Sequence, residues 1–532
     1  MADQQRHIIE RLRAEINLPG SRKEADHLSR QLTAVLQETL LPGLEEVFNQ
    51  VAPTDTYLRL DELDVNLDWD RQKLNLEELV PRLTTAISKR LAEKREEMQA
   101  ENPQNYSKAG HLLETLAYII NHGHYPWWWE NGNWQQLESG LEELIGQQAG
   151  LIRRALPGFH LDRERNRQRF LRQLSPELQD KLLEAYWGKS ELDSARQGLE
   201  ELGVQLLRIF PAFRDHKGES LRHYLLARVG AGLTGDDNFL LRASAWAFWD
   251  AQYQLRSKDT HWISRLDSLV KQGQLTSKEA ELLREKDQTD KENRNRLANY
   301  MNNFQLTRQE QKMLKDWLRG ANVLGTDLKN KLVRQLNEIK GVDPDLLKYL
   351  QAQDLIESED RVSTYPGEGI YIHNAGLVLL HPYLSLFFQK LGLCRQGEFV
   401  NQTAREKAVH LLQYLAAKNT EVPEAEMVFN KVLCGFSLDE PIRKRVTLDE
   451  SDKEEADRLL SVILNYWKAL GTTSTDGLRA NFLLRTGKLQ YTSDGWKLIV
   501  ERKPQDVLLE QLPWGVGVIK LPWMELKMFV EW

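Results

Sequence analysis

NAGLVLLHPYLSLFFQKLGL, residues 374–393, places a histidine inside one of the most apolar stretches of the chain. Pro382 follows His381, and proline suits the first turn of a helix, where its missing N–H would have no intrahelical partner. Beyond it Leu384, Phe387, Phe388 and Leu391 recur at the spacing of one helical face. Gly392 then stands where helices commonly end, and Asn374 is placed to cap a short helix in front. The stretch therefore predicts two successive helices with His381 at their junction, where an imidazole satisfies free backbone groups. A metal site would need partners, and His373, Cys394, His410 and Cys434 show no ligand spacing. The histidine reads as architecture, in a chain whose apolar groups serve burial against protein.

Strands follow this helical start. GKLQYTSDGWKLIVER (487–502) alternates on both sides of Asp494-Gly495, a hairpin signal. GVGVIKLPWMELKMFVEW (515–532) reads as a second hairpin, with Trp532 inside an apolar strand and so packed. Leu-Pro-Trp occurs at 512 and again at 521. Because proline favours strand ends, Trp514 and Trp523 are expected to mark the two ends of one strand at a packed sheet corner.

Toward the N-terminus the periods are mostly helical. Residues 6–17 and 24–51 predict helices, the second kinked or split at Pro42-Gly43. TYLRLDELDVNLDW (56–69) alternates instead, which predicts a half-buried strand. Helix returns over 74–99 and ends in the charged run AEKREEMQAEN. The middle is helical nearly throughout, with Leu112, Leu113, Leu116, Ile119 and Ile120 on one face. Residues 254–300 are polar and read as a solvated helix or a flexible stretch. RNRQRFLRQLSPELQDKLLEAYWG (165–188) echoes RNRLANYMNNFQLTRQEQKMLKDWLRG (294–320), with Ser175 and Thr307 as expected helix caps. A diverged duplication and a chance likeness of two helical hairpins both fit. The expected fold class is mainly α with small β elements, an α+β architecture. Its parts are an N-terminal α+β unit (1–100), a helical middle (101–360) and a C-terminal α+β unit (361–532) ending in β-hairpins.

Composition excludes several classes of function. The chain has 532 residues, beyond the size of a single core, and a net charge of -7. Its mean hydropathy is -0.55. A mildly acidic chain is a poor match for nucleic acid. No run approaches the ~18 apolar residues of a membrane-spanning helix, and the N-terminus lacks a signal peptide's apolar run. Synthesis in the cytoplasm is expected. The 2 cysteines leave disulfides no large part in the fold.

The search for chemistry ends without a catalytic set. WGKS (187–190) ends like a phosphate loop, yet Leu183 stands where its first glycine belongs, and the preceding segment reads as helix. GVGVIK lacks the third glycine and the following helix of a dinucleotide site. Asp61, Glu62 and Asp64 read as the exposed face of the expected strand. His122 and His124 flank Gly123 without a carboxylate or thiolate at ligand spacing. They precede Trp127, Trp128 and Trp129, three rings that cannot all point inward, so some pack on a neighbouring element or on a partner. No catalytic, cofactor-binding or metal-ligating residues are assigned. Trp127, Trp128, Trp129, Trp514 and Trp523 are the candidate protein-interaction residues.

These segments together resemble one family. HIIERLRAEINLP (7–19), LPGLEEVF (41–48), LRLDELDVNLD (58–68) and YPWWW (125–129) carry the resemblance in the first part of the chain. NAGLVLLHPYLSLFFQKLGL, AVHLLQYLA (408–416), FNKVLCGFSLDEPI (429–442), VILNYWKALGTTSTDGLRANFLLRTGKL (462–489), LPWGVGVIKLPWM (512–524) and VEW carry it in the last third. The family is the tape measure proteins of contractile injection systems, the phage-tail-like particles of the antifeeding-prophage type. The resemblance implies a structural protein that sets inner-tube length and associates with the tube lumen or baseplate. Its implied partners are inner-tube and baseplate proteins, with homo-oligomers compatible and no catalytic residues. Its implied place is the cytoplasm during assembly, then the particle. A scaffold or chaperone for tube, baseplate or cargo is the alternative. Against a literal ruler, the prolines and aromatic clusters of the middle read as folded hairpins, not as one long coiled coil.

Overall fold

A computed structural model describes residues 369–532 without interruption, most of 34–51, 76–101, 107–129, 133–209, 217–232, 277–299 and 304–318, and scattered positions elsewhere. Most of the expected helix at 6–17, most of 239–253 and the segment around Tyr365-Pro366-Gly367 lie outside the described residues. The chain forms two compact units, one from Met1–Leu116 with Pro126–Gly146, the other from Ala117–Tyr125 with Gln147–Trp532.

In the first unit, Leu44, Val47 and Val51 lie on one face of helix α1 (Leu41–Val51) and share a core with Ile87 and Leu91 of α2 (Leu76–Glu101). Pro42, second in α1, has no N–H to give the preceding turn. That turn, Leu36–Leu40, is wound as a π-helix, so the break expected at Pro42-Gly43 takes the form of a widened turn. The strand expected within 56–69 does not form at Leu60 or at 62–67. Burial still alternates there, and Leu60, Leu63 and Val65 pack on the α1–α2 core. Alternation records one-sided burial; a strand also needs a hydrogen-bonded neighbour. Helix α3 (Lys108–His122) then leads to a 3-10 turn, Trp127–Trp129, and to α4 (Trp134–Gln147).

The second unit continues with α5 (Ala149–Ala155), α6 (Glu164–Gln173), α7 (Pro176–Trp187), α8 (Lys189–Ile209), α9 (Lys217–Gly230), α10 (Ser277–Asn299) and α11 (Arg308–Leu318). The expected caps are present. Ser175 Oγ accepts from Leu178 N at 3.3 Å, with Pro176 opening α7. Thr307 and Glu310 form a reciprocal capping box before α11. Gly188, of the segment that mimics a phosphate loop, lies between α7 and α8.

The last third opens with strand β1 (Ile370–Ile372), a 3-10 turn over Ala375–Leu380 and helix α12 (His381–Lys390). Leu384, Phe387 and Phe388 are buried on its inner face, as their spacing predicts. His381 stands at the junction, its Nδ1 3.1 Å from the carbonyl of Val378. Asn374 corrects one expectation. Its side chain makes no cap; it donates to Gln413 and Asn430 in a buried amide cluster. Gly376 is required for packing: a Cβ there would lie 1.6 Å from the carbonyl oxygen of Phe482.

Then follow a short hairpin of β2 (Cys394–Arg395) and β3 (Glu398–Phe399), helices α13 (Gln402–Ala417), α14 (Val428–Leu433), α15 (Glu450–Tyr466) and α16 (Thr475–Leu478), and strands β4 (Gly487–Thr492), β5 (Gly495–Val500), β6 (Val518–Ile519) and β7 (Met528–Glu531). The main sheet has the order β1-β4-β5-β7-β6. The β4–β5 hairpin forms where expected, but Thr492 pairs with Gly495, so the turn itself is Ser493-Asp494, one residue earlier than its Asp-Gly signal. Strands β6 and β7 pair as the second expected hairpin, Val518 opposite Phe529. Their union with the first is parallel, β5 to β7. Trp514 and Trp523 do not bound one strand: β6 is two residues long and both rings lie outside it. Trp532 is half-buried, its indole N–H on Asp506. The fold is mainly helical with small β elements, as the sequence predicts.

Candidate functional site

Each candidate tryptophan has partners in its own chain. Trp127, Trp128 and Trp129 are all half-buried. Trp128 donates its indole N–H to Thr115 at 3.2 Å, and Trp129 lies 5.7 Å from the ring of His111, so two of the three pack on α3. Trp514 and Trp523 both clamp α12. Trp514 donates to the Leu379 carbonyl at 3.0 Å and meets Tyr383 edge-on at 5.2 Å. Trp523 donates to the Leu433 carbonyl at 2.8 Å and packs on Phe388 and Phe399. Tyr383 also lies 6.4 Å from the ring of Tyr466, which is 64% exposed, and Leu386, three residues along α12 from Tyr383, is 59% exposed.

The densest polar chemistry lies where sequence spacing gave no direct pointer. Arg169, Glu424 and Lys431 are all fully buried. Lys431 sits in α14 within the apolar run Met427–Cys434, and its ammonium reaches Glu424 Oε1, the Leu438 carbonyl and the Glu440 carbonyl, each at 2.7 Å. All three of its protons have acceptors. Arg169, on α6, donates to Glu424 Oε1 at 3.2 Å, to Ile120 O at 2.6 Å and to Asp439 O at 2.9 Å. Glu424 Oε2 accepts from Ile442 N. Gln173, one turn after Arg169, accepts from Glu424 N at 2.8 Å and donates to Ile442 O at 2.7 Å.

Gly123 closes the cluster. Its φ is +76°, and a Cβ would stand 2.7 Å from Glu424 Oε1 and 2.8 Å from both Arg169 and the Leu438 carbonyl. Only glycine supplies both that conformation and that clearance. The flanking histidines are structural. His124 Nδ1 lies 2.9 Å from the Tyr125 carbonyl, and burial pushes its pKa down to about 4. Burial lowers His122 as well. Burial also pushes the Lys431 ammonium down, and Glu424 opposes that shift. Two cations against one carboxylate leave the centre with a formal charge of about +1, spread over carbonyl oxygens.

A second ionic group lies nearby: Arg443 grips Glu406 through two nitrogens at 2.9 and 2.6 Å, which holds the Glu406 carboxyl below its usual range against the effect of burial. The Arg443 carbonyl lies 3.0 Å from His410 Nε2. Cys394 and Cys434 are buried, free thiols, both pushed upward in pKa by burial. Among the described residues no three His, Cys, Asp or Glu side chains converge as a metal site. No described helix is long and apolar enough to cross a membrane.

One signal for the centre was present in the sequence. Asn430 and Lys431 are the only polar residues between Met427 and Cys434. A lysine so placed is buried when the run is buried, and a buried lysine needs a partner. Nothing local singles out Arg169 from its arginine-rich helix.

Every polar group of this centre is engaged with another group of the same chain, an arrangement that builds a scaffold. The chain belongs to the contractile injection system tape measure proteins, whose family model matches residues 6–532. It is therefore a structural protein of a contractile injection system with a tape-measure role, inside the particle and associated with other tube components. No curated protein and no solved structure matches the chain.

Proposed function

We propose that the protein fixes inner-tube length by direct contact with inner-tube and baseplate proteins, is made and recruited in the cytoplasm, and carries out no catalysis. The family match along nearly the whole chain carries this reading. Nucleic acid and membrane have no part in it. The half-buried rings Trp127, Trp128 and Trp129, and Trp514 and Trp523 with exposed Tyr466 and Leu386, serve as contact points. Aromatic and large apolar groups open to solvent are the usual anchors of protein interfaces. Homo-oligomers are compatible with the same surfaces.

Length control by the 101–360 part works through folded helical pieces: α5 to α9 are separate helices of 7 to 21 residues. At ~1.5 Å per residue even the longest of these spans only about 30 Å. Deletion of the gene is expected to give particles with tubes of scattered length, and an inserted helical repeat in 101–360 to give longer tubes. Electron micrographs read both. Unchanged tube length after insertion, or no particles at all after deletion, would refute the reading.

A further inference from the structure

Helix α6 meets the C-terminal third through polar groups. Arg169 and Gln173 reach Glu424 and the backbone of Leu438, Asp439 and Ile442. Arg172 donates to the Pro441 carbonyl at 2.7 Å, Arg165 lies 3.9 Å from the Asp439 carboxylate, and Tyr125 donates to Glu426 at 3.2 Å. Among the described residues, the apolar core of the C-terminal third draws all its members, buried and half-buried, from residues 370–532. The described contacts across this junction are hydrogen bonds and ion pairs. Separating an apolar interface exposes surface in proportion to its area, whereas separated polar groups exchange their partners for water.

The two sides are also unequal. With α6 withdrawn, Lys431 keeps all three acceptors, and Glu424 keeps Lys431 and the Ile442 N–H. Only the Glu424 N–H, bonded to Gln173, loses its acceptor. The carbonyls of Leu438, Asp439, Pro441 and Ile442 and the Arg169 guanidinium meet water, which solvates them well.

We propose that this junction is a latch. Helix α6 undocks from the 424–442 segment while residues 370–532 stay folded, so the helical stretch is repositioned without unfolding the C-terminal core. The proposal rests on the junction's chemistry and holds whether or not the protein sets tube length.

The test uses the full chain with spin labels on Glu177→Cys and Arg445→Cys; native Cys394 and Cys434 are buried. Arg169→Met is expected to add a population at longer inter-label distance. Loss of the three Arg169 bonds to Glu424, Leu438 and Asp439 should speed hydrogen exchange at the Glu424 amide by at least about tenfold. The amides of the β4–β5 hairpin should keep wild-type protection. Arg169→Lys keeps the charge but not the fork that spans the Ile120 and Asp439 carbonyls, and should fall between. An unchanged distance in both variants overturns the proposal. So does loss of protection across 370–532 together with α6, failure of the variant to fold included.

Discussion

Glu424→Gln is the sharpest perturbation available in this protein. The substitution keeps side-chain shape and removes the negative charge between Arg169 and Lys431, which lie 3.2 and 2.7 Å from Oε1. At an effective dielectric near 20, each contact represents about 5–6 kcal/mol of gross attraction. Desolvation of the ions offsets most of that, and breaking a buried pair from one side typically costs about 3–5 kcal/mol. The amide adds a conflict of its own. Whichever way it is turned, its NH2 faces donors, either the two cations or the Ile442 N–H that Oε2 now accepts. We expect a loss near the upper end of that range, which lowers Tm by about 10 °C for a unit of this kind. Thermal unfolding followed by circular dichroism reads it. Lys431→Met provides the cycle: removing the second cation's charge relieves the repulsion, so the double variant should be less destabilised than the sum by about 2 kcal/mol. A Tm shift below about 2 °C for Glu424→Gln, or strict additivity in the double variant, would refute the account of the centre as a mutually dependent ion cluster.

Other outcomes follow from single features. His124 and His223 are held neutral by burial with pKa values of about 4. Because the folded values lie below the unfolded 6.5, their stabilisation is complete above pH 6.5 and is lost as pH falls toward 4, on the order of 3 kcal/mol each. Acid titration of His124→Gln/His223→Gln should show a lower acid midpoint than wild type, and an identical midpoint would contradict the burial argument. Gly123→Ala combines a left-handed backbone with a collision against Glu424 and Arg169. It should cost over about 2 kcal/mol in denaturant unfolding. Trp523→Phe keeps the packing on Phe388 and strands the Leu433 carbonyl. The expected loss is about 1–2 kcal/mol, and a neutral result would mean that water replaces the indole. His381→Ala removes one bond to Val378 and should leave particle assembly intact, with a stability loss of about 1 kcal/mol; loss of particles at wild-type stability would instead give the histidine a role beyond architecture.

Much of the fold was legible because its signals are local. The face Leu384–Phe387–Phe388 needs only the helical period, Ser175 and Thr307 need only the next turn of backbone, and the β4–β5 hairpin needs a short loop between alternating runs. The alternation at 58–67 was equally local and predicted a strand that is absent at the described positions, because it reports burial on one side and says nothing about a neighbouring chain segment.

By itself, then, the sequence determined most of the described helices, the Ser175 and Thr307 caps and the two hairpins, and in Lys431 within its apolar run it held an unread sign of a buried cation. The tertiary structure alone decided what meets that cation. Glu424 lies seven residues away across a turn, and Arg169, which shares its carboxylate, is 255 residues from Glu424. It also decided that β5 lies parallel to β7 and that the tryptophans of both Leu-Pro-Trp tripeptides pack on α12, more than a hundred residues earlier in the chain. Periodicity and capping act over a single turn or pleat, whereas the partner of a buried charge is chosen by the packing of whole elements, which no short window of residues contains.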